Sequence, residues 1–67
     1  MVDDPAKDAD EYASRAALYR RKAASARECA EGARLPEMRG TYLEVAKSYE
    51  RMASSMEDIA IRRLGSR

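Results

Sequence analysis

Twelve carboxylates, thirteen lysine or arginine side chains, four tyrosines and one cysteine are the groups in this 67-residue chain that can do chemistry; there is no histidine. Paired carboxylates serve as acid and base when burial pulls their pKa values apart. None falls where helical spacing predicts burial, so acid–base catalysis is not expected. Metal sites in helix bundles use Glu-x-x-His spacing, which a chain without histidine cannot provide. Cys29 has no second thiol within the chain, so a redox role would need a partner molecule. No catalytic, cofactor-binding or metal-binding residue is assigned, no cofactor is expected, and the chain does not read as an enzyme.

Arg15, Arg20, Arg21, Lys22 and Arg27 form a segment of five cations without an acid. Clustered cations bind phosphate by releasing its counterions, which makes Arg15–Arg27 the candidate for nucleic acid. These residues point to different sides of a helix, however, and the net charge is only +1. No helix-turn-helix or other nucleic-acid motif accompanies them. A solvated, ion-paired surface is the plainer reading. Binding to a membrane surface would need a face rich in Trp, Phe and Leu, and the chain has neither Trp nor Phe. No run approaches the roughly 20 apolar residues of a membrane span. The start, Met1 to Glu11, is acidic and unlike a signal peptide. With a single cysteine, a cytoplasmic location is expected.

The elements that position these groups are helices. Alanine is abundant, glycine and proline are scarce, and no period-2 run of β-branched residues marks a strand. Asp4-Pro5 is a suitable helix opening, since Asp accepts first-turn amides and proline at the first position loses no bond. Gly32-Ala33-Arg34-Leu35-Pro36 is the break, with glycine expected in the left-handed conformation that ends helices. The expected fold is all-α, a single antiparallel hairpin: helix one over 5–31, a turn at 32–35, helix two over 36–64. Thr41 with Glu44 is a competing start for helix two.

Heptad spacing predicts the seam. In helix one the a positions are Ala9, Ala16, Ala23 and Ala30, and the d positions Tyr12, Tyr19, Ala26 and Ala33. In helix two the a positions are Leu35, Tyr42, Tyr49 and Met56, ending on Arg63. Its d positions are Met38, Val45, Met52 and Ile59. Two such stripes joined by a short turn read as a coiled-coil-like pair. Small residues of helix one then oppose large ones of helix two, Ala26 to Tyr42 and Ala16 to Met52, with Tyr19 near Tyr49. The acidic start of helix one comes beside Arg62, Arg63 and Arg67, an arrangement that disfavours parallel pairing.

One outer flank looks apolar. It holds Ala13, Ala17, Arg20, Ala24 and Arg27 from helix one, and Leu43, Ala46, Glu50, Ala53, Glu57, Ala60 and Leu64 from helix two. Alanine is a good helix former at exposed sites and needs no partner to explain it. A chain this small gains from self-association, so the flank is also the expected interface of a homodimer, two hairpins forming a four-helix bundle. Arg20, Arg27, Glu50 and Glu57 would pair across it.

Tyr19-Arg20-Arg21-Lys22-Ala23, Pro36-Glu37-Met38-Arg39 and Tyr42-Leu43-Glu44-Val45-Ala46-Lys47-Ser48-Tyr49-Glu50 resemble a group of short, uncharacterised helical-hairpin proteins of alphaproteobacteria. Their pattern is YRxxA…PExR…YLxxAxxYExxA, and the likeness covers residues 19–53. Leu35 stands where such proteins usually have an acidic residue. The resemblance implies a hairpin fold and a bacterial cytoplasmic origin, and brings no activity and no site residues. The expected function is a small self-associating interaction or scaffold module without catalysis, able to present its other face to a protein partner. The alternative is an accessory nucleic-acid binder using Arg15–Arg27.

Overall fold

A computed structural model describes the backbone over residues 5–65 and the side chains over residues 8–65. Two helices, α1 (Pro5–Gly32) and α2 (Pro36–Gly65), pack against each other as an antiparallel hairpin. The result is a rod of 52 × 15 × 13 Å. No described helix is long and apolar enough to cross a membrane.

Local chemistry sets the turn. The Ala33 amide donates to the Ala30 carbonyl (3.2 Å), a tight last turn that closes α1, and Arg39 Nη2 donates to the Ala33 carbonyl (3.3 Å). No described glycine has positive φ, so Gly32 ends its helix without the left-handed conformation its sequence position favours. Pro36 disfavours helical backbone at Leu35, and that is what separates the two helices. Pro36 opens α2, and the Leu35 carbonyl accepts the Arg39 amide (3.1 Å). Thr41 is no cap; its hydroxyl donates to the Glu37 carbonyl one turn back (3.0 Å), within the helix. The Asp4 cap, together with Asp3 and Arg67, lies outside the described residues. The expected meeting of an acidic start with a basic end is visible as Asp8 Oδ2 to Arg63 Nη1 at 3.8 Å.

Helix α1 presents the stripe its spacing predicts. Ala9, Ala16, Ala23, Ala26 and Ala30 are buried, while Tyr12, Tyr19 and Ala33 are partly covered at its edge. Tyr19 stacks on Tyr49, with ring centroids 6.0 Å apart.

Helix α2 differs from expectation. Its buried residues are Ala46, Ala53 and Ala60, the first two wholly inaccessible. Tyr42, Tyr49, Met56 and Ile59 are half-buried. Met38, Val45 and Met52, expected in the seam, are 47, 40 and 37% exposed, and Leu35 is exposed too. The seam is therefore turned by about 50°, half the angle between neighbouring residues on a helix. Ala16 is not filled by Met52; the alanine rows of the two helices meet instead.

Alanine against alanine lets the axes approach to the short end of the roughly 8–10 Å range for packed helices. Dispersion between backbones then replaces contacts between large side chains. The cost is that only alanines are buried among the described residues. The chain exposes 5349 Å², about 1,100 Å² more than a globular monomer of its 7.5 kDa.

Candidate functional site

The seam has two flanks of opposite character. On the first, Arg20 holds Glu57 through Nε to Oε2 (3.0 Å) and Nη2 to Oε1 (2.5 Å). One turn pair along, Arg27 Nη2 lies 2.7 and 2.8 Å from the two Glu50 oxygens. Hydrogen bonding to the Arg20 guanidinium holds the Glu57 carboxyl below its ordinary range, and the same bond raises Arg20. These forks clamp the two helices within one molecule.

This corrects the interface expected on that flank. Ala46, Ala53 and Ala60 are inside the hairpin and cannot meet a second copy. Arg20 and Glu50, expected to pair between molecules, are satisfied within one chain. Ala13, Ala17, Ala24 and Leu64 remain exposed and Leu43 is half-buried, but charged groups separate them.

The second flank carries the tyrosines and methionines. Tyr12, Tyr19, Tyr42, Tyr49 and Met56 line the groove beside the seam, half-buried. Met38, Val45, Met52 and Ile59 project just beyond them from α2. Because 38, 45, 52 and 59 repeat every seven residues, and 41, 48 and 55 fall between them, these positions form a second heptad stripe. Thr41, Ser48 and Ser55 occupy the intermediate positions. The stripe is uncharged from Met38 to Ile59, about 32 Å of helix, and every charge of that stretch lies elsewhere on α2. Thr41, Ser48 and Ser55 are small and polar, and residue type alone does not set them apart from an ordinary surface. The missing charge was the signal that distinguished them.

The basic segment forms no phosphate-facing cluster. Arg15 lies 5.7 Å from the Tyr12 ring centre and Lys22 lies 6.0 Å from that of Tyr49. Arg20 and Arg27 are committed to carboxylates. Four of the five cations thus have intramolecular work. Cys29 is an exposed free thiol. With Gly32, Ala33, Leu35, Met38 and Tyr42 it lines an open depression of about 640 Å³ at the turn end of the tyrosine flank. Among the described residues no cluster of carboxylates or thiols is arranged to hold a metal.

Comparisons with protein-family models, with curated proteins and with solved structures find no match to this chain.

Proposed function

We propose that this protein is a small self-associating interaction module, without catalysis, that buries its tyrosine–methionine flank against another copy of itself. The observation that carries this reading is the uncharged α2 stripe left exposed on a hairpin whose buried residues are alanines. The first flank is crossed by its own ion pairs, and charged groups separate its exposed alanines. The two α2 seams lie roughly 100° apart around the helix, the arrangement a helix needs to contact two neighbours in a four-helix bundle.

Light scattering tests the reading. At tens of micromolar, a range typical of weak oligomers, the mass is expected near twice the 7.5 kDa of one chain. A single-chain mass there would remove the proposal. Steep, salt-dependent retention on nucleic acid would instead favour the Arg15–Arg27 segment as the working surface.

A further inference from the structure

Building on the self-association reading, we infer that α2 packs on α2 of the second copy in antiparallel orientation and in one register. The two-fold axis crosses the helix pair between the levels of Ala46 and Lys47.

Residue size supports the orientation. The stripe alternates large apolar positions (Met38, Val45, Met52) with small hydroxyl positions (Thr41, Ser48, Ser55). An antiparallel heptad seam places each a-type position opposite a d-type position of the other helix. In the inferred register Val45 faces the partner's Ser48, Thr41 faces the partner's Met52, and Met38 faces the partner's Ser55. The two-fold repeats each pair, so every layer sets a large side chain against a small one. The Thr41 hydroxyl already donates to the Glu37 carbonyl, so its burial leaves no donor unmet.

Charge selects the register. Glu44 and Arg51 lie on one edge of the stripe, both exposed. The inferred register brings Glu44 within about 3 Å of the level of the partner's Arg51 along the helix, twice over, close to the axis. At the ends Glu37 comes equally near the level of the partner's Asp58, with Arg62 one turn away to bridge them. Sliding by one heptad step toward the C-terminus, to a second large-against-small register, sets Arg51 against the partner's Arg51 and Glu44 against the partner's Asp58. Sliding the other way sets Glu44 against the partner's Glu44 and leaves Met52 and Ser55 without a facing stripe residue. Parallel pairing puts large against large and small against small, and lays the edge with Glu44 and Arg51 along the partner's Tyr42, Tyr49 and Met56, where no ion pair forms. Only the inferred antiparallel register combines size matching along the whole stripe with the Glu44–Arg51 pair beside the two-fold axis.

Cysteine pairing reads orientation and register directly. Single-cysteine chains are made in the Cys29→Ser background, carrying Thr41→Cys, Met52→Cys or Ile59→Cys, and their helicity is checked by circular dichroism. Each is treated with bismaleimidoethane, alone and in equimolar mixtures. The Thr41→Cys and Met52→Cys mixture is expected to cross-link. Each of those chains alone is expected to stay single, because its own thiols lie about 16 Å apart along the axis. The Thr41→Cys and Ile59→Cys mixture is expected to react weakly, at an axial offset of about 10 Å.

Cross-linking of each chain with itself would overturn the orientation. Preference for the Ile59→Cys mixture would overturn the register. No cross-link in a chain that scatters as a dimer would place the interface elsewhere, defeating this inference while leaving self-association standing. A single-chain mass would end both. Charge exchange gives an independent readout: Glu44→Arg is expected to weaken the dimer at least threefold, and adding Arg51→Glu to restore it. Failure of the second change to restore it would overturn the register.

Discussion

The two flanks of the seam are built from the same α2 helix and do opposite things. On one, Arg20–Glu57 and Arg27–Glu50 complete the hairpin internally, so nothing outside the molecule is needed. On the other, a charge-free stripe of α2 faces solvent, and this is where the proposed second copy would pack. The lesson is that an alanine-rich flank need not be an interface. In this chain the alanines of α2 are buried in the fold, and the larger Met38, Val45 and Met52 stand outside it.

Substitutions at neighbouring residues separate the two roles. The largest effect is expected for Ala53→Arg, which puts a charge where no solvent reaches. An uncompensated buried charge costs about 3–5 kcal/mol, comparable to the whole stability of a chain this size. Circular dichroism should show loss of helix at room temperature. Ala46→Leu forces the close-packed rows apart and is expected to cost about 1–3 kcal/mol, read as a lower denaturation midpoint with helix retained at low denaturant.

Met52→Glu, one residue before Ala53, is expected to keep the helical spectrum under conditions where the hairpin is folded, and to lose the dimer. If it unfolds the chain as Ala53→Arg does, Met52 belongs to the seam and the comparison of flanks is wrong.

The smallest effect belongs to the ion-paired flank. Glu57 is held below the ordinary carboxylate value by its bond to Arg20, so its contribution is present at neutral pH. It is lost as pH falls through that depressed value, where Glu57 takes up its proton. Thermal melts of wild type and Glu57→Gln are therefore expected to differ slightly at pH 7 and to converge in strong acid. A difference that persists undiminished in acid would mean the pair is not its source.

Much of the fold was legible in the residues. Pro36 and the alanine–tyrosine spacing of α1 place both helices and one seam, because only that stripe of α1 joins alanines to tyrosines. Helix α2 offers two possible seam faces, one adding Val45, Met52 and Ile59 to Tyr42, Tyr49 and Met56, the other adding Ala46, Ala53 and Ala60. Judged by side-chain size, Met38, Val45 and Met52 outweigh Ala46, Ala53 and Ala60. The folded pair follows a different rule: alanine rows on both helices permit the closest backbone approach, and that approach brings Arg20 and Arg27 within reach of their carboxylates. Hydropathy along one helix does not contain this information, which depends on what the facing helix offers.

Sedimentation equilibrium of two charge-bearing chains tests the assignment of flanks most directly. Val45→Glu/Met52→Glu is expected to sediment as single hairpins, and Ala17→Glu/Ala24→Glu, on the opposite flank, to keep the wild-type dimer mass. The reverse pattern, with the alanine-flank chain monomeric and the methionine-flank chain still dimeric, would contradict the account.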